Sequence, residues 1–336
     1  DPGTAVWGRF DAAKGWRNTE GEGENNRQGF RFPRDFTSTS AAERRVVLLG
    51  DSQVWGLGVK SDQHLGVLLE NRFDDVEIYP FGVPGYGPVQ EWLLLREVLA
   101  KYQVDEVFAV AFVYNDLVDE SVSLAYGGLQ KPYLEKSQDG WKLRNVPVPR
   151  PILEDTTDSS ISFFGRNPEM VFVVSNEILA ETSALYRTLV QQSSYHPRFA
   201  RLLERLGLVE LKRSTATATK HYSIRRIDGL GIPCWHLEAC PEENRVDGLL
   251  AVTAAYVLMD QLCQNLGIPF AVVLTPSYPE LANARFDVVD ALANSLEQVG
   301  IRVIDLREAF RSVGNWRNVV GEDRHWTAEG HRIVAD

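Results

Sequence analysis

The sequence predicts an α/β fold, an α/β/α sandwich around a central parallel sheet, with a large inserted segment. Short apolar, β-branched runs without polar alternation predict strands covered on both faces, and amphipathic helical patterns lie between them. A long break in that alternation, from 117 to 245, predicts the insertion.

From 1 to 43 the chain is rich in Gly, Asn, Arg and aromatics and holds no sustained helical or strand period, so it reads as an extended arm that packs on the body. The run 45–50 then ends at Gly50 and predicts the first buried strand; 76–81, 106–113, 268–275 and 301–306 predict four more. Helical patterns fall at 62–73, 88–101, 247–266 and 283–299, with Gly267 and Gly300 placed to end the last two. The core is therefore 44–116 with 246–336. The segment 117–245 contains a Pro-rich stretch at 145–151 and helical patterns at 174–192 and 197–207. It is too long for a plain connection and too apolar for a linker, and reads as a cap or substrate-binding segment that walls the cleft. No internal repeat or low-complexity tract occurs.

The 336 residues are 44% hydrophobic and 24% charged, which excludes global disorder. A formal net charge of −11 argues against a nucleic-acid partner, which calls for a basic face. The basic run from Arg198 to Arg205 reads as the solvated side of a helix. No apolar stretch is long enough to span a bilayer. The chain starts at Asp1 without Met and stops at Asp336 inside a helical pattern. This leaves room for a removed signal or an anchor, and the expected location is extracytoplasmic, that is periplasmic, secreted or membrane-anchored. Cys234 and Cys240 form a disulfide with Cys263 left over, or all three are buried thiols; the sequence leaves both open. No spacing suits a metal, and no cofactor is expected.

Four local patterns carry chemistry. Leu49-Gly50-Asp51-Ser52-Gln53 puts a serine where the first strand gives way to a helix, at the edge where active sites gather, although Asp and Ser are also ordinary turn and cap residues. Phe81-Gly82-Val83-Pro84-Gly85-Tyr86-Gly87 follows the second strand. Its glycines allow close backbone approach and an N–H donor to an oxyanion, or simply a tight turn. Val113-Tyr114-Asn115-Asp116 closes the third strand, with the Asn115 amide as a second donor or as a turn former. Near the end, Asp323 stands two residues before His325, where a carboxylate can fix the imidazole tautomer and leave the other nitrogen to take a serine proton. His331 lies six residues beyond His325 on a helical pattern, a spacing that puts the two on different sides and speaks against a shared metal.

Ser, Gly, Asn and Asp-x-His each follow a predicted strand or loop at one sheet edge, in an order that supplies every role in acyl transfer. This order resembles the four blocks of the SGNH (GDSL-like) hydrolase superfamily, over about 43–116 and 268–336. The resemblance implies a flavodoxin-like sandwich with Ser52 as nucleophile. It also implies an oxyanion hole from the backbone N–H groups of Ser52 and Gly85 with the Asn115 side chain, and a triad completed by Asp323 and His325. Two positions depart from the family pattern: Val113 replaces a glycine of the third block, and Glu322 occupies the place of the usual Asp-x-x-His acid. The Asp-x-His-Trp form is similar to the branch containing alginate O-acetyltransferases, and the Asn26 to Arg31 arm and the Lys131 to Pro149 stretch are similar to exopolysaccharide-associated members.

The function implied is a serine-dependent acyl-ester hydrolase or O-acetyltransferase acting on an acylated carbohydrate or another short-chain ester. The alternative is a non-catalytic carbohydrate-binding or scaffold protein that retains the fold, with eight tryptophans and eleven tyrosines to stack on sugars.

Overall fold

Five apolar runs pair into one parallel sheet: β1 (Arg44–Gly50), β2 (Val76–Gly82), β3 (Glu106–Phe112), β4 (Phe270–Thr275) and β5 (Arg302–Asp305), in the order β5-β4-β3-β1-β2. Parallel neighbours need long crossovers, and helices supply them: α1 (Ser52–Trp55), α2 (Leu65–Arg72), α3 (Pro88–Lys101), α4 (Glu242–Gln264), α5 (Tyr278–Asn283) and α6 (Asp287–Gln298), while α7 (Arg307–Ser312) and α8 (Ala328–Ala335) follow the last strand. Successive strand residues face opposite sides. Val47, Leu49, Val107, Ala109, Val272 and Leu274 are buried toward α3, α4 and α6. Val46, Leu48, Ile78, Val110, Phe112 and Val273 are buried with Leu65 of α2, Phe310 of α7 and Ile333 of α8. Both faces are thus apolar, as the unbroken strand runs require, and each fully buried Val or Leu contributes about 1.5–3 kcal/mol.

This computed structural model describes residues 8–39, 42–114, 116–119, 129–153, 170–176, 178–179, 183–193, 197–213, 225–227, 230–232 and 242–336. The chain divides into two units, 20–120 with 224–336, which holds the sheet, and 1–19 with 121–223. Within the first, 20–39 lies along edge strand β2. Phe36 stacks on Tyr79 with centroids 4.6 Å apart, Phe30 meets Phe81 edge-on at 4.7 Å, and the Tyr79 hydroxyl donates to the Thr37 carbonyl at 2.9 Å. Pro80, paired in register with Leu48, fits an edge strand because it has no N–H to lose.

The second unit has its own apolar cluster of Val173, Tyr186, Val190, Ala200, Leu203 and Val209. It contains antiparallel hairpins of Gly8–Asp11 with Gly15–Asn18 and of Tyr133–Ser137 with Gly140–Arg144. A three-stranded antiparallel sheet runs Val209–Arg213, Met170–Ser175, Pro151–Leu153. The helix Pro197–Arg205 carries Arg198, Arg201 and Arg205 on its exposed side.

Two element expectations change. The helical pattern at 174–192 gives way to a strand, Met170–Ser175, and a helix that starts only at Ala184. Val171 pairs with Arg213 on one side and Ile152 on the other, and the β-branched Val173 and Val174 pair with Leu211 and Glu210, partners that helical geometry cannot offer. The pattern at 283–299 forms a helix that starts only at Asp287, after the separate short helix α5, which ends at Asn283. The buried Glu280 carboxylate accepts Val288 and Val289 N–H at 3.1 and 3.0 Å and Ser277 N–H at 3.0 Å, so it starts α6 afresh while capping α5. Cys263 is a buried free thiol, its pKa pushed up to about 12 by burial. Cys234 and Cys240 lie outside the described residues. Among the described residues no helix is long and apolar enough to cross a membrane.

Candidate active site

Ser52 opens α1 immediately after β1 ends at Gly50. Asp51 makes this turn abrupt: it is buried, and its carboxylate caps the helix by accepting the Gln53 N–H at 2.8 Å. The end of β2 runs against the same turn, where the Val83 N–H bonds the Gly50 carbonyl at 3.0 Å. Gly82 is obligatory there, because a Cβ would lie 2.2 Å from the Trp55 backbone nitrogen. The chain then turns through Val83 to Tyr86, closed by a 3.1 Å hydrogen bond, with Gly85 at φ 78° in the third position of a type II turn. Neither the Ser52 N–H nor the Gly85 N–H has a hydrogen-bond partner among the described residues. Asn115 lies outside the described residues.

The C-terminal segment brings the histidine. Val320 and Trp326 form an antiparallel bridge, and the loop between them is closed by Arg324 N–H to the Gly321 carbonyl at 3.0 Å and Gly321 N–H to the His325 carbonyl at 2.8 Å. His325 Nε2 lies 2.9 Å from Ser52 Oγ, although the residues are 273 apart in sequence. Its Nδ1 is 3.4 Å from Asp323 Oδ2, an ion-pair contact that is long for a hydrogen bond. Asp323 Oδ1 accepts the His325 N–H at 3.2 Å. The imidazole beside Asp323 holds its carboxyl below the usual carboxylate value, against the opposing pull of partial burial. Glu322 is exposed, and Val113 is fully buried at the end of β3.

Residues to which the sequence assigned no chemical role hold this arrangement. Gln53 bonds the histidine loop through both ends of its amide, to the Arg324 carbonyl at 3.1 Å and from the Trp326 N–H at 2.9 Å. Arg31 reaches the Gly56 and Val59 carbonyls, bonds Glu24 at 2.7 Å and lies over the Trp55 ring at 5.1 Å, tying the 20–39 arm to the end of α1. His331 meets His64, not His325. The two rings are 5.9 Å apart, and His331 Nδ1 accepts the Leu65 N–H while His64 Nδ1 accepts the Gly66 N–H. Burial holds both neutral, with pKa values lowered to about 3 for His331 and about 4 for His64. His331 also packs edge-on against Trp326 at 5.4 Å, so the residue after His325 rests on this buried pair. Sequence reasoning saw His331 only as a rejected metal ligand. Gln53 carried no signal beyond its place next to the serine.

Chemically, the arrangement joins a hydroxyl to a ring nitrogen, a carboxylate to the opposite ring nitrogen, and two backbone donors that have no partner among the described residues. A hydroxyl so placed can pass its proton to the ring as it attacks an electrophilic carbon.

No protein-family model and no curated protein matches the chain. Solved structures similar to it include a member of the lipolytic protein G-D-S-L family from Veillonella parvula DSM 2008, at 11% identity and TM-score 0.39, covering 87% of this chain and 94% of that one. Another is the acetyl xylan esterase AlAXEase, at 14% identity and TM-score 0.40, covering 87% and 96%. A third is LAE5, an alpha/beta hydrolase enzyme from the metagenome of Lake Arreo, Spain, at 14% identity and TM-score 0.38, covering 88% and 93%.

Proposed function

We propose that the chain is a serine-dependent acyl-ester hydrolase that removes an O-acetyl or other short acyl group from a carbohydrate. The observation that supports this reading is the 2.9 Å approach of His325 Nε2 to Ser52 Oγ, made by two residues from opposite ends of the sheet-bearing unit. Ser52 Oγ attacks the ester carbonyl and its proton passes to His325 Nε2. The carbonyl π electrons move to oxygen, and the Ser52 and Gly85 N–H groups and the Asn115 amide are the donors proposed for that oxyanion. A donor of this kind is worth about 3–4 kcal/mol in the transition state. Collapse expels the alcohol, which takes the proton from His325, and leaves an acyl-serine. Water then attacks with the same histidine as base, releasing the acid; a sugar hydroxyl in place of water would make the site an O-acetyltransferase. Asp323 holds the tautomer and supports the imidazolium through both proton transfers.

The test is labelling with a fluorophosphonate alongside hydrolysis of p-nitrophenyl acetate, for wild type and Ser52→Ala. Wild type should label and turn over, and the variant should do neither while keeping its circular dichroism spectrum. Equal labelling of both would move the nucleophile elsewhere, and an inert wild type would favour a binding protein on this fold.

A further inference from the structure

Gln53 follows Ser52 directly and is 1% exposed, so its amide is turned into the protein rather than into the cleft. The Arg324 carbonyl and the Trp326 N–H, which it engages at 3.1 and 2.9 Å, lie two residues apart, on either side of a single residue. One carboxamide spans them, its NH2 donating to the Arg324 carbonyl and its oxygen accepting from the Trp326 N–H. The residue so bracketed is His325. Its own N–H is bonded to Asp323 and its carbonyl to Gly321, so every backbone polar group from the Arg324 carbonyl to the Trp326 N–H is engaged. Arg324 also sits at φ 74°, in the left-handed region that a residue with a Cβ keeps only when its surroundings hold it there.

We propose that Gln53 is the positioning residue of the Ser52–His325 pair. It binds the histidine loop to the helix that carries the serine, so that two adjacent residues set the distance between hydroxyl and base. Its effect on turnover rests on the reading of Ser52 as nucleophile; the restraint on His325 does not.

Two variants separate the roles of the amide. Gln53→Met keeps the length and removes both hydrogen-bonding groups. Gln53→Glu in its neutral form keeps one acceptor and one O–H donor, but when ionised it turns a lone pair toward the Arg324 carbonyl. The charged or titratable groups facing this position are Asp51 at the helix cap, which accepts the Gln53 N–H, then Asp323, Arg324 and His325 on the loop, and His331 behind Trp326. Burial and the Asp51 carboxylate favour the neutral acid, so protonation restores the bridge as pH falls.

Gln53→Met should lower kcat on p-nitrophenyl acetate by about 10- to 100-fold with KM within about threefold, because misplacement of a base by around 1 Å costs about that much. Above the His325 midpoint its rate relative to wild type should not vary with pH. For Gln53→Glu the same ratio should rise as pH is lowered, a signature that loss of packing alone does not produce. A readout independent of ester turnover is the NMR titration of the His325 ring. Ser52→Ala should move its midpoint in the Gln53 protein, and by less than a third as much in the Gln53→Met background. Inert wild type would sink the esterase reading, and the NMR comparison would still decide this one. If Gln53→Met does not fold, Gln53→Glu carries both measurements. A folded Gln53→Met with kcat within threefold of wild type, a flat Gln53→Glu ratio in an active enzyme, or an equal Ser52→Ala shift in both backgrounds overturns the proposal.

Discussion

Asp323→Asn removes one charge while keeping the shape of the side chain, and the geometry sets how much that charge is worth. Unit charges 3.4 Å apart interact by about 1.2 kcal/mol at the dielectric constant of water and by about 4.9 kcal/mol at an effective value of about 20. The Asp323 side chain is 57% exposed and the His325 side chain 19%, so the pair lies between these limits, at about 2–3 kcal/mol. An imidazolium forms only as the serine proton is transferred, so the loss falls on kcat, at about 10²-fold, rather than on KM. That is well short of the roughly 10⁴-fold lost when a buried triad carboxylate becomes an amide. Because the Asp323 pKa is lowered from its ordinary 3.8, the carboxylate remains ionised wherever the histidine can act as a base. Any acid-side fall in wild-type activity is therefore not its titration. Steady-state turnover of p-nitrophenyl acetate by Asp323→Asn and Glu322→Gln measures the difference, and Glu322→Gln should stay within about twofold of wild type. Asp323→Asn within threefold of wild type, or Glu322→Gln the more damaged of the two, would refute the reasoning.

Gly82→Ala introduces a Cβ 2.2 Å from the Trp55 nitrogen, where backbone rather than a movable side chain stands in the way. It should cost roughly 1–3 kcal/mol or more in chemical denaturation and lower fluorophosphonate labelling of Ser52 even in the folded fraction; a stable, fully labelled variant would contradict the close approach. His331→Asn tests the buried histidine pair. The folded pKa of about 3 lies below the ordinary 6.5, so the unfolded chain takes up the proton first and stability is lost as pH falls from 6.5 toward 3. At pH 5 the loss is about 1.5 pH units, or about 2 kcal/mol. Asn can still accept the Leu65 N–H, so the variant should lose about 2 kcal/mol less than wild type between pH 7.5 and 5 in urea denaturation. Parallel losses in the two proteins would place the acid sensitivity elsewhere.

The sequence by itself determined the sheet. Unbroken runs such as 45–50 and 106–112 leave no polar face for water, and helical periods between them leave no arrangement but parallel strands covered on both sides. It also placed Ser52, Gly85 and His325 at turns that leave strands or loops, because glycines and cap residues act within a few positions of themselves. Where local preference met partners from elsewhere, it failed: Met170–Ser175 is a strand because two strands flank it, and the helix expected from 283 starts only at Asp287, where Glu280 caps it from a distance. Only the tertiary structure decided that a glutamine beside the serine would hold the histidine loop, that His331 would pair with His64, and that Arg31 would tie the arm to α1. These are hydrogen bonds and ring contacts between residues 25 to 273 positions apart. Their partners are chosen by which surfaces the sheet brings together, and no spacing along the chain records that choice.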